Sequence, residues 1–278
     1  MRTTITAAAA LLTSLGFAQA QQQDIEWKQI IDVPKGMFIP RSSGDILGIE
    51  IGDGYIAAKK KLDALLAESA PGSSNGIKEE RRVFRMSVPG ASTVVAAAYV
   101  AKLVLTRQVK GSGANTSEES IHVYLTAPSS GQQVVAIQRY TGWAEADQPR
   151  LSDILAQLKA KMGSDPQTFP SQSGTVLRYQ YDEAKPFAPA RPSPITCQTS
   201  LHVFSDANQL PNVNQSGNCD GLLEISVTFG ISRDHAKSMV FTLNDNERLK
   251  ANMTADFKYV NAYIRDLQNS TRGTVPKL

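Results

Sequence analysis

The chain is short of the residues from which most reactive sites are built. It holds two cysteines, three histidines and two tryptophans in 278 residues. Two cysteines by themselves cannot supply the four nitrogen or sulfur ligands of a structural zinc site. No Gly-x-Ser-x-Gly stands at a strand-to-helix elbow (the GSSNG run at 72–76 reads as the stop after a helix), and no Gly-rich phosphate loop or His-Glu-x-x-His pair is present, which removes the commonest hydrolase, nucleotide and metalloprotease patterns. Asp206 and Asp220 lack the ordered acidic spacing of a calcium loop. Glu145 and Asp147 lie in a polar connector with no sign of the burial that a glycosidase carboxylate needs. No run approaches the roughly 18 apolar residues of a spanning helix. Charge of one sign is also missing: 29 basic residues face 26 acidic ones, for a formal net charge of +3. Lys59, Lys60 and Lys61 form a run, and Lys78 to Arg82 mixes signs. Both read as solvated faces, not as the concentrated basic surface of a nucleic-acid binder.

The first 20 residues have the order of a secretory signal peptide. Arg2 precedes an apolar run from Ala7 to Phe17, and Ala18-Gln19-Ala20 fits a small-x-small cleavage site before Gln21. The first 20 residues hold no Arg-Arg pair, and Gln21, not a cysteine, directly follows the cleavage site, so neither twin-arginine export nor a lipid anchor is expected. The expected location is the periplasm or the medium. In such an oxidising compartment Cys197 and Cys219 are expected to pair. The closed loop would restrain the unfolded chain by about 3 kcal/mol.

Hydrophobic periodicity divides the rest. Residues 21–44, with Pro34 and Pro40, read as an extended lead-in. Tyr55, Ala58, Leu62, Leu65 and Leu66 recur at helical spacing, with Asp53 as the expected N-cap. Strands are expected over 81–88, 93–109, 121–127 and 134–143. A second helix carries Leu151, Ile154, Leu155, Leu158 and Met162, with Ser152 as cap and Gly163 at its end. Strands are then expected over 175–181, 197–204, 222–230 and 237–243. The prolines at 186, 189, 192 and 194 favour an extended connection. Leu249, Met253, Phe257, Val260, Ile264 and Leu267 form the stripe of a C-terminal amphipathic helix, expected to dock on the second set of strands. The prediction is an α+β protein: two helix-plus-four-stranded antiparallel sheet repeats, over 45–143 and 150–268, the second including the C-terminal helix.

The turn Gly48–Gly52 before the first helix, the exit Leu158, Gly163 and Pro166 of the second, and the aromatic strand of Tyr179 and Tyr181 resemble the SmpA/OmlA (BamE) and β-lactamase-inhibitor-protein-like superfamily. Gly52-Asp53-Gly54 stands where that family has Gly-Met-Ser/Thr, and the lipobox cysteine of its assembly lipoproteins is missing. The resemblance implies non-catalytic protein binding; from the residues themselves no cofactor and no metal are expected. The expected function is therefore an exported protein-binding module of the bacterial envelope, not an enzyme. Its candidate surfaces are the open sheet faces, the 205–218 loop and the Pro-rich 186–194 segment. The alternative is a hydrolase using a strand histidine, His122 or His202; His235, beside Asp234, reads as an exposed turn residue. The mass of the exported protein tests the first step. It should begin at Gln21, with or without pyroglutamate, and a mass retaining residues 1–20 would refute cleavage after Ala20.

Overall fold

The structure is a computed structural model that describes residues 21–28, 44–72, 74–89, 93–112, 115–182, 185–186, 201–204 and 219–271. It is an α+β fold. The strands are β1 (Gln21–Asp24), β2 (Asp45–Ile46), β3 (Ile49–Glu50), β4 (Gly76–Ser87), β5 (Thr93–Lys110), β6 (Thr116–Leu125), β7 (Val134–Gly142), β8 (Gln167–Pro170), β9 (Gly174–Asp182), β10 (Lys185–Pro186), β11 (Gly221–Phe229) and β12 (Ala236–Asp245). The helices are α1 (Tyr55–Ala67), α2 (Leu151–Met162) and α3 (Asn246–Thr271). Ten strands form one sheet along β5-β6-β7-β12-β11-β9, with β1 and β4 on β5 and with β8 and β10 on β9. Every pairing is antiparallel except that of β1 with β5. A two-stranded sheet of β2 and β3 precedes α1.

One face of the large sheet carries α1 and α2. Leu103 and Leu105 on β5, Ile121 and Val123 on β6, Ile137 on β7, Leu177 on β9, Ile225 on β11 and Leu243 on β12 are all fully buried there, with Leu62 of α1. Alternation along each strand puts these residues on one side. In β5 the alternation changes sides. Glu80 pairs with Lys102 and Arg81 with Val100, so Ala101 is an extra residue, a β-bulge. Beyond it Val95, Ala97 and Tyr99 point to the opposite face, where they bury against Phe84 and α3.

Helix ends differ from expectation. Asp53 does not cap α1; Gly54 occupies that position without a side-chain bond. Asp53 instead folds back into the preceding turn. It is fully buried, accepts from Glu50 N at 2.8 Å and pairs with Lys61 Nζ at 2.7 Å. Ser152 is not a cap either, since α2 begins from Arg150. Gly163 ends α2 at φ +78°, a conformation costly for residues with a Cβ. The carbonyl of Leu65, near the end of α1, accepts from Arg107 Nη1 at 2.6 Å. Arg107 is in turn held by the buried Glu119, which also pairs with Arg139.

Two strand boundaries are corrected. The expected strand over 197–204 is not formed at Leu201–Phe204, which is a 3-10 turn; 197–200 lie outside the described residues. Its place beside β9 is taken by β8, four residues for which no strand was expected. The docking of α3 is corrected too. The C-terminal part of its stripe packs with residues of β4, β5 and the segment after β1, with Val260 buried and Phe257, Ile264 and Leu267 partly so. The reason is the bulge, which supplies an apolar bed there. On β7 the same face gives Val135, which packs with Leu249 and Met253.

Polar groups fix α3 in register on the β6–β7 connection. Arg248 is fully buried and donates from Nη1 to Gln133 Oε1 at 2.9 Å. Asn252 Nδ2 donates to the same oxygen at 3.2 Å and to Thr126 Oγ1 at 3.3 Å. The Asp256 carboxylate accepts from Ala127 N at 3.0 Å and Ser129 Oγ at 2.5 Å. Burial outweighs these bonds and pushes its pKa up to about 6. A carboxyl raised on folding stabilises at low pH, and that contribution fades as pH rises through the folded value. Between pH 5 and pH 8 it should fall by about 1 kcal/mol. Denaturant titrations at both pH values should show the loss in the wild type. Asp256→Asn, compared over the same interval, should remove that part of the slope.

Candidate functional site

The face opposite α1 and α2 is half covered by α3 and half open. Its rows follow from the register. Val104, His122, Gln138, Thr242, Glu224, Arg178 and Gln167 stand side by side across seven strands, β5-β6-β7-β12-β11-β9-β8. Six of the seven are polar, and neighbours satisfy one another. Arg178 reaches Glu224 at 2.5–2.7 Å, and Gln138 Nε2 lies 3.5 Å from Thr242 Oγ1. Such pairs hold the row rigid; Thr242 and Arg178 are buried in it and the other five are half-buried. The next row runs Ser120, Tyr140, Val240, Ser226 and Val176. Tyr140 is 43% exposed. A Cβ placed on Gly142 would sit 3.3 Å from its hydroxyl and 3.8 Å from its ring carbons, so the ring lies along the strand over that glycine. Thr116, Glu118, Trp143, Lys237 and Ser238 complete a shallow cleft around it.

At the covered end of β5 and β6 a smaller recess is lined by Glu80, Arg82, Lys102, Tyr124 and Phe204. Lys102 Nζ bonds Glu80 Oε2 at 2.6 Å and lies 5.7 Å from the Tyr124 ring centre. Arg82 Nη2 donates to Phe204 O at 2.7 Å, and the Phe204 ring meets Tyr124 with centres 5.2 Å apart. Burial opposes the charge of Glu80, but the Lys102 bond and charge outweigh it and hold its carboxyl below the usual range. Burial and then the Glu80 charge push Tyr124 up. His122, half-buried in the adjoining row, is pushed down first by burial and then by Lys102, against the pull of Glu80.

The residues singled out in the sequence scatter. His122 lies on the open side of β6, as alternation with Ile121 and Val123 expects. His202 falls in the 3-10 turn and not on a strand. His235 is half-buried, in a turn where its Nδ1 is 2.9 Å from Ser232 Oγ. Asp147 clasps Ser112 N at 2.9 Å, and Glu145 begins the same short turn. Cys219 is buried beside β11, and Asn246 Nδ2 donates to its carbonyl at 2.7 Å. Cys197, Ala20, Asp206 and the 205–218 loop lie outside the described residues, as does the 186–194 segment beyond Pro186. Gln21 opens β1. Among the described residues no three His, Cys, Asp or Glu side chains gather to hold a metal, and no helix is long and apolar enough to cross a membrane. Apart from His122, the members of the polar row and Tyr140 were not named from sequence. Their signal was the polar half of each strand's alternation, but the neighbours depend on which strands pair.

Comparison of the chain with protein-family models, with curated proteins and with solved structures finds no match.

The recess makes a direct statement about His122. Its pKa, followed by NMR, should lie below 6.5, move up in Lys102→Ala and move further down in Glu80→Gln. An unperturbed value that neither change shifts would contradict the described geometry.

Proposed function

We propose that this chain is a non-catalytic protein-binding module, exported to the bacterial envelope, that docks a partner protein on the open face of its sheet. The observation that carries the reading is the seven-strand polar row beside an exposed, flat-lying Tyr140. Pre-paired polar groups around an aromatic anchor suit a protein surface, where tyrosine offers a large contact at little conformational cost. The face is shallow, and its chemistry is hydrogen bonding and stacking. We read the chain further as two helix-plus-four-strand repeats. The strand order supports this: β4-β5-β6-β7 meets β12-β11-β9-β8 through the last strand of each set. The resemblance to the SmpA/OmlA (BamE) and β-lactamase-inhibitor-protein-like superfamily points the same way, and an inhibitor of a secreted enzyme is one form of such a module. Cys197 and Cys219 would tie the 205–218 loop to the sheet.

The test is affinity capture from envelope extract with the mature protein, compared with Tyr140→Ala and Gln138→Ala. The partner bound by the wild type should bind at least tenfold more weakly to Tyr140→Ala, with the melting curve unchanged. Equal capture by both variants would move the interface off this face.

The second reading, a hydrolase using a strand histidine, draws on His122 lying next to the Glu80–Lys102 pair. It requires a turnover that His122→Ala or His202→Ala abolishes while the fold is kept. Such a loss would sink the binding-only reading.

A further inference from the structure

β5 is 18 residues long, but β6 covers its inner edge only over Lys102–Lys110. The remaining edge is filled by residues 21–28. β1 runs parallel to Thr93–Ala96, and Ile25 N then donates to Ala96 O at 2.8 Å. Next along the edge, the Trp27 indole donates to Ala98 O at 3.1 Å and Gln132 Nε2 to Val100 O at 2.9 Å. Ile25 is buried among Val95, Ala97 and Phe84. The Trp27 ring is held in a notch, stacked on Tyr259 with centres 5.8 Å apart and edge-on to Tyr99 at the same distance. From α3 the Tyr259 hydroxyl donates to Glu26 O, and the Tyr263 hydroxyl donates to Asp24 O at 3.3 Å.

These contacts separate backbone from side chain. The slot reads main-chain groups along its length and two side chains, an aliphatic one and, two residues on, an indole. The segment is held by its side chains more than by its ladder. Gln-Gln-Gln-Asp has low β propensity, its ladder is parallel and four residues long, and Glu26 and Lys28 are solvent-exposed. We propose that the edge of β5 beyond β6, with Tyr99, Tyr259 and Tyr263, is a peptide-binding slot that residues 21–28 plug in cis. In trans it would take an extended peptide with an aliphatic-x-tryptophan pattern, running parallel to β5, by strand addition. This surface is separate from the open face and stands or falls independently of it.

The probe is a fluorescein-labelled peptide of sequence QQQDIEWK, titrated by polarisation into the full mature chain and its Ile25→Ala/Trp27→Ala variant. The variant, its plug loosened, should bind at least tenfold more tightly than the wild type, and a probe with alanine for tryptophan should not bind. A folded variant that ignores the probe overturns the proposal, as does equal binding by variant and wild type. If the variant does not fold, the wild-type Trp27 indole NMR signal is followed as unlabelled peptide is added. Displacement to a free-indole position supports the slot, and an unmoved signal at millimolar peptide overturns it. A wild-type dimer that the free peptide dissolves would assign the slot to a second copy and overturn its reading as a site for a foreign peptide.

Discussion

The fold depends on a change of side in the middle of one strand. Ala101 is the extra residue of a bulge, so the odd-numbered apolar residues of β5 serve two cores in succession. Leu103 and Leu105 pack under α1 and α2; Val95, Ala97 and Tyr99 pack under α3. A regular strand with this sequence would send all of them to one face and leave the other to Val94, Ala96, Ala98 and Val100. The position of α3, the notch for Trp27 and the coverage of half the second face all follow from that one residue.

The same constraint divides the surface. Where β5 turns its apolar side outward, α3 and the N-terminal strand cover it. Across β7, β12, β11 and β9 the outward positions are Gln138, Thr242, Glu224 and Arg178, and no apolar stripe calls for a cover. Polar residues cost little where they keep water or each other as partners. The face can thus stay available to a partner while the opposite face carries the core. Buried charge is kept in local sets: Glu119 lies between Arg107 and Arg139, and Asp256 sits on the turn at Ser129.

Much of the architecture was legible along the chain. The periodicities of Leu62, Leu158 and Val260 placed the helices, and alternation placed β6, β7, β11 and β12 to within a few residues. What escaped had a physical cause. The bulge left no trace, because the apolar residues of β5 alternate without a break through Ala101. β8 is too short and too near prolines to stand out, while Leu201 and Val203 alternate like a strand yet lie in a tight turn. β1 has no propensity of its own and exists through the edge that receives it. The row around His122 required knowing that β7 pairs with β12, a long-range pairing that no local pattern encodes. Asp53 illustrates the same limit at one residue, since a cap and a buried turn anchor begin from the same local sequence.

The division of β5 between two cores is most directly measured by double-mutant cycles in denaturant titrations. Leu103→Ala should couple to Leu62→Ala, and Tyr99→Ala to Val260→Ala, each by about 0.5–3 kcal/mol, as residues sharing a packed core do. The crossed pairs, Leu103 with Val260 and Tyr99 with Leu62, should add to within about 0.5 kcal/mol. Strong coupling of Leu103 to Val260, with none to Leu62, would place both halves of β5 on one face and contradict the account.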